Sequence, residues 1–298
     1  MPNDNTKSYL QLHFIVFIWG FTAVLGALIS LNALPLVWWR MSLAVLFVLI
    51  YLYYKKINLK LSVKTIGYLL FAGSIIALHW LTFFKAIKVS NVSVTLACLS
   101  TGAFFTSFLE PILYKRKIIW YEVVLGIIVV FGLYLIFTVD GDYTLGIILA
   151  LTSAFLSALF SVINGKLAKE YNASVISFYE LLGGVIFLSF YLAVTNGFTK
   201  NFFTISITDM GWLFILASIC TAYAFIASVA VMKHLSPYTV MLTINLEPIY
   251  GIILALLVFK EKEQMGTNFY VGAIIILVTI LANVFLKNYY NKLKVKLN

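Results

Sequence analysis

The sequence predicts an all-α integral membrane protein: ten transmembrane helices arranged as two inverted five-helix repeats around a central cavity. Three observations carry that prediction. Of 298 residues, 62% are apolar and only 11% charged, against roughly 25% charged in soluble domains. The apolar residues fall in ten blocks of membrane-crossing length. The second half of the chain repeats the rhythm of the first.

A membrane helix needs about 20 mostly apolar residues. Such blocks run over 10–31, 35–54, 65–84, 92–114, 118–139, 144–164, 174–195, 209–232, 237–259 and 269–286. They are continuous rather than alternating, which favours helices over barrel strands. The first block follows a polar start and is too long for a signal-peptide core, so it reads as a retained span. The longest connection covers 196–208, which leaves no room for a soluble domain.

Orientation follows from Lys and Arg. With both termini in the cytoplasm, 15 of the 21 basic residues face inward, including Lys55, Lys56, Lys60, Lys64, Lys115, Arg116 and Lys117. The outer side receives Arg40, Lys85, Lys88, Lys200, Lys260 and Lys262, together with an acidic turn at Asp140 and Asp142. That is the positive-inside pattern of a cell-membrane protein. The net charge of +10 then reports topology and contact with anionic lipid, and no nucleic-acid partner is expected. Cys98 and Cys220 lie deep in apolar blocks, and the three histidines lack metal-ligand spacing, so neither a disulfide framework nor a metal or other cofactor is expected.

Shifting the chain by 146 residues places Gly126 on Gly272 and Ser90 on Ser236. Each half has two spans, a longer polar loop, then three closely spaced spans. We divide the chain at residues 1–140 and 141–298. Five spans is an odd number, so the second half enters the membrane in the opposite sense. Inverted repeats characterise secondary transporters, whose sites lie near the midplane between halves.

Ile18-Trp19-Gly20-Phe21 in the first span, Pro35 and Arg40 in the second, Leu246-Glu247-Pro248 in the ninth, Phe259-Lys260-Glu261-Lys262 after it and Gly272 in the tenth form a set. Together they resemble the ten-span EamA-like branch of the drug/metabolite transporter superfamily. The first half departs from the pattern: the shift sets Gly102 against Pro248 and Lys115 against Glu261. A second Leu109-Glu110-Pro111 triplet is not repeat-equivalent, so Glu110 does not inherit the role of Glu247. The resemblance implies two inverted five-helix bundles around a cavity. It also implies export, sometimes uptake, of small metabolites or amino acids without ATP. No Walker motif is present.

Ionisable residues at membrane depth are costly and mark candidate sites. Glu247 is the deepest, roughly 16–20 Å from either end of its span at 1.5 Å per residue. Thr243 and Tyr250 share its face, and Pro248 frees a backbone carbonyl. A carboxyl that loses hydration there can take a proton from one side and release it to the other. The alternative is a structural carboxylate. His79 reads first as a neutral histidine bonded between helices, and second as a proton relay. Arg40 reads first as a residue snorkelling to headgroups, and second as an anion site. Glu180 is its counterpart in span seven and can pair with Lys166 or Lys169. Glu110 is expected to cap or pair near Lys115–Lys117. Trp19, Trp80, Tyr179 and Tyr223 are candidates for an aromatic cavity wall, with core packing or lipid contact as the alternative. Asn245 needs a polar partner. Trp38, Trp39, Trp120 and Trp212 read as interfacial belts.

The function expected is therefore a secondary transporter, an exporter of small organic solutes (amino acids, metabolites or drug-like compounds), working by alternating access. It is driven by a proton gradient through Glu247 or His79, or by the solute's own gradient. The fused halves already enclose a pathway, so a monomer suffices. The alternative is an integral-membrane enzyme acting on lipid or small molecules. The scattered acids offer no DxxD pair for it, and a receptor gains nothing from an inverted repeat.

Overall fold

The computed structural model describes residues 4–115, 117, 119–137 and 143–297. The acidic turn at Asp140 and Asp142 lies outside the described residues, as does Arg116. The described residues form α1 (Asp4–Leu28), α2 (Ala33–Tyr54), α3 (Val63–Val89), α4 (Val92–Leu99), α5 (Gly102–Tyr114), α6 (Trp120–Phe137), α7 (Thr144–Glu170), α8 (Ala173–Val194), α9 (Lys200–Phe203), α10 (Ile207–Ala217), α11 (Ala224–Val231), α12 (Pro237–Ile244), α13 (Glu247–Phe259) and α14 (Thr267–Leu297). A π-helical turn, Ser218–Tyr223, joins α10 to α11, and a 3-10 turn, Lys260–Glu263, follows α13. No strand occurs among the described residues.

Eight stretches are long and apolar enough to cross a membrane, and Thr267–Thr279 is a shorter apolar helix. Their ends are set by side-chain caps. Ser62, Asn91, Asn172, Ser206 and Ser236 each accept a backbone N–H from the first helical turn, satisfying donors that a helix start otherwise leaves open. Large apolar side chains such as Ile50, Phe71, Phe190 and Leu257 remain exposed on the outside, as a helix facing hydrocarbon requires.

Two of the expected spans are broken. The stretch 92–114 is α4 and α5 separated by Ser100-Thr101, and 237–259 is α12 and α13 separated by Asn245-Leu246. The two match residue for residue at a shift of 145: 8 residues, a two-residue turn, then 13 residues. The residue after each carries a positive φ, 54° at Lys115 and 51° at Lys260. Likewise α2 and α8, each 22 residues, match at a shift of 140, with positive φ just beyond them at Lys56 and Asn196. The repeat is thus visible in backbone detail where sequence identity is low. Its register in the broken spans is 145 rather than 146, which sets Gly102 against Glu247 itself.

At the centre of the bundle α3 packs against α7 and α8. Glycines permit the approach. A Cβ on Gly73 would run into the carbonyl oxygen of Glu180, and one on Gly183 into that of Leu70. Small residues let helix backbones come close where lipid supplies no hydrophobic drive.

Candidate functional site

A cavity of about 80 Å³ lies at the middle of the bundle. It takes Trp19, Arg40, His79 and Trp80 from the first half and Glu247 from the second. That is room for several waters but not for a drug-sized ligand, which fills pockets of roughly 300–1,000 Å³.

Arg40 is 1% exposed and turns inward rather than snorkelling to the surface. Its Nε donates to Thr221 Oγ1 at 2.7 Å. Thr221 sits in the π turn, where its hydroxyl donates to the carbonyl of Leu216 at 2.6 Å. The guanidinium lies 3.9 Å from the Trp80 ring centroid and 5.4 Å from that of Phe84, a cation–π arrangement that offsets lost hydration. Its Nη1 has no hydrogen-bond partner. Arg40 is therefore held by one edge and one face, with donors left for a carboxylate or phosphate.

Glu247 opens α13 at the break in its span. It is 6% exposed, and the partially free N–H groups of the helix start favour negative charge there. Arg40 and Glu247 feel each other electrostatically, yet no ion pair within 4.0 Å joins them among the described residues. The partners expected for Glu247 are engaged elsewhere. Thr243 donates to Thr239 O at 3.0 Å, and Tyr250 meets Phe17 edge-on at 5.5 Å.

His79 Nδ1 lies 2.9 Å from Ser153 O and 2.8 Å from Ser153 Oγ, and Ser153 Oγ donates back to His79 O at 3.0 Å. Facing a carbonyl oxygen, Nδ1 is the donor of that contact. His79 is the interhelical histidine of the sequence reading, and it also lines the cavity. Trp19 Nε1 donates to Cys220 O at 3.2 Å, another group of the π turn.

Five candidates lie away from this cavity. The Tyr179 hydroxyl donates to Leu59 O at 3.0 Å. Tyr223 is 46% exposed on the outer surface. Tyr250 packs on α1, where a Cβ on Gly20 would meet its own Cβ at 2.7 Å. Asn245 is buried at a separate cavity of about 20 Å³ with Ser100 and Thr279. Glu180 is fully buried in α8. It has no ion pair with Lys166 or Lys169 among the described residues; Lys166 instead donates to Leu113 O at 2.9 Å. Sequence reasoning missed Thr22, Ser157, Ser161, Phe160 and Phe225, all at the cavity. Serines four apart in an apolar helix were the available signal.

Polar contacts tie the bundle together at its two ends. At one end Asp209 accepts from Ser30 N and Oγ at 2.7 and 2.6 Å, and Lys88 donates to Ile29 O. There, too, Glu263 accepts from Val92 N and Ser93 N at 3.0 and 2.9 Å, capping α4. At the other end Glu110 accepts from Tyr238 N at 3.2 Å, in the first turn of α12, and Tyr114 donates to Val162 O at 2.8 Å. Each broken span is thus capped by a carboxylate from the opposite half. Glu110 thus caps a helix start of the other half. After α13 the buried acid is Glu263, while Glu261, the acid of the sequence motif, is exposed.

A family model described as the EamA-like transporter family matches the chain twice, over residues 6–138 and 144–285. A protein of Clostridium kluyveri described as an uncharacterized transporter is 26% identical over 248 residues, covering 80% of this chain and 78% of its own. A solved crystal structure superposes with a TM-score of 0.70 at 11% identity, covering 96% of this chain and 99% of that one; at that identity the likeness is one of fold. The double match spans nearly the whole chain. The chain is a multi-pass membrane protein, and it belongs to the EamA-like transporter family.

Proposed function

We propose that this protein is a secondary transporter that exports small organic solutes across the cell membrane by alternating access. In this reading ten helices cross the membrane as two inverted halves, 1–140 and 141–298, with both termini cytoplasmic, and a monomer is the working unit. The end holding Asp209 and Glu263 is then external, and the end holding Glu110 and Tyr114 is cytoplasmic.

The observation that carries the reading is the unsatisfied charge in the central cavity. Arg40 keeps a free Nη1, and Glu247 faces it without contact. A buried charge is stable only with a partner, so both groups are suited to something that enters. A solute with an anionic group for Arg40, a cationic or donor group for Glu247 and an apolar body for Trp19, Trp80, Phe160 and Phe225 satisfies all of them. Amphipathic amino acids and drug-like amines fit that chemistry better than sugars. Glu247 can carry a proton when the solute is absent, which supports proton coupling.

Thermal-shift screening of the purified protein against amino acids, amines, sugars and sugar nucleotides tests the ligand chemistry. Stabilisation by sugar nucleotides alone overturns it. Uptake of the best hit into proteoliposomes, with and without a pH gradient, then tests transport and coupling. Reporter fusions at Lys60, Asp142 and the C-terminus test the topology, which an external C-terminus would break.

A further inference from the structure

The transport reading does not use Glu180. This carboxyl is fully buried in α8, about 11 Å from the cytoplasmic start of the helix at 1.5 Å per residue. Both its oxygens lack a hydrogen-bond partner. Its polar neighbour is Asn164 of α7, which interacts with it without forming a well-aligned hydrogen bond. The Asn164 amide is likewise fully buried with neither end partnered. One turn away on the same face of α7, Ser161 is the third residue with an unpartnered buried side-chain atom, and it lines the central cavity. Toward the cytoplasm, Ser177 and Ser174 continue the line along α8, at 0% and 5% exposure.

No cation meets Glu180 from the elements packed on it. α11 carries no ionisable residue. On α7, Lys166 is drawn to Leu113 O, and Lys169 and Glu170 stand exposed in the last turn. On α3, His79 is tied to Ser153, Lys88 to Ile29, and Lys64, Tyr68 and Lys85 are exposed. On α2, Arg40 donates to Thr221, and Tyr51, Tyr53 and Tyr54 are exposed at the end of the helix. A carboxyl so placed is tolerable when it carries a proton and is bonded to water. Clusters of unpartnered buried polar atoms are where ordered water is found.

We propose that Glu180 is a second proton-binding site, joined by water through Asn164 and Ser161 to the central cavity, and that it passes protons between that cavity and the cytoplasm. The inference rests on the proton-coupled reading of Glu247 and adds the route on the cytoplasmic side. The balance is simple: the proton leaves one carboxyl oxygen, moves along waters and is taken up at the other site, with no bond to carbon made or broken.

The test is infrared spectroscopy of the lipid-reconstituted protein, which needs no solute and so fails separately from the transport reading. The wild type should show the C=O stretch of a protonated carboxyl that shifts on transfer to D2O. Glu180→Gln should remove one component of that band, and the same component should persist in Glu247→Gln. Asn164→Leu keeps the carboxyl but removes a link, and should slow the D2O shift several-fold. Glu180→Gln should also lose pH-driven accumulation while keeping solute exchange. A band unchanged in Glu180→Gln, a band that never exchanges, or an Asn164→Leu protein exchanging at the wild-type rate each overturns the proposal. If Glu180→Gln does not fold, the Asn164→Leu exchange rate decides alone.

Discussion

The broken spans α4–α5 and α12–α13 have the same lengths, the same capped start and the same positive-φ lysine at the end, yet only one carries chemistry. Where the second has Glu247, the first has Gly102, and the methyl of Met241 fills the space a side chain would need: a Cβ on Gly102 would lie 2.5 Å from Met241 Cε. The two spans repeat one backbone frame, while the acid at this position is single. A second carboxylate there would repel the first in so small a space.

The largest effect expected is at that acid. Glu247→Gln should abolish accumulation driven by a pH gradient in proteoliposomes while leaving solute exchange nearly intact, since exchange moves no net proton. Adding Gly102→Glu to Glu247→Gly should not restore accumulation, because Met241 holds the site. Restoration would show that the halves are interchangeable. Next comes the cap on the first broken span. Glu263→Ala strands two buried N–H groups and should destabilise the protein by about 1–3 kcal/mol, measured as unfolding in detergent. The terminating lysines follow. Lys260 has φ 51° and ψ −120°, a region open essentially to glycine, and Lys115 has φ 54° and ψ 39°, the ordinary left-handed well. Lys260→Gly should raise stability by about 1 kcal/mol, and Lys115→Gly by less. The smallest change belongs to Glu261→Ala, at the exposed acid beside Glu263, which should stay within about 0.5 kcal/mol of wild type.

Most apolar blocks were legible because the bilayer imposes length and composition on a span, but α3, α7 and α14 run past the ends of theirs. The ends of α4–α5 and α12–α13 coincide with the blocks 92–114 and 237–259. The breaks inside them were harder to read. Pro248 signalled the second, but the first has no proline. It arises where Ser100 and Thr101 donate their hydroxyls to Ala97 O and Cys98 O at 2.6 and 2.8 Å, which competes with regular helix bonding. Arg40, His79 and Glu247 stood out because charge at depth is rare. The aromatics did not, because hydropathy is blind to the direction a side chain faces: Tyr223 turns outward while Phe225, two residues on, turns in. Glu263 was missed in favour of Glu261 because a short turn, not a helix period, decides which of the two acids is buried.

The π turn at Ser218–Tyr223 amounts to one extra residue inserted in an otherwise α-helical rod. Each residue advances an α-helix by roughly 100°, so everything after the turn is rotated by about that angle relative to an uninterrupted helix. Phe225, Ser228 and Met232 reach the cavity only because of that rotation, and Thr221 reaches Arg40 from within the turn. Deleting Ile219, which is half exposed, would close the register and swing those walls toward lipid. A change of length by a single codon at this point would alter the lining of the cavity without substituting any residue in it.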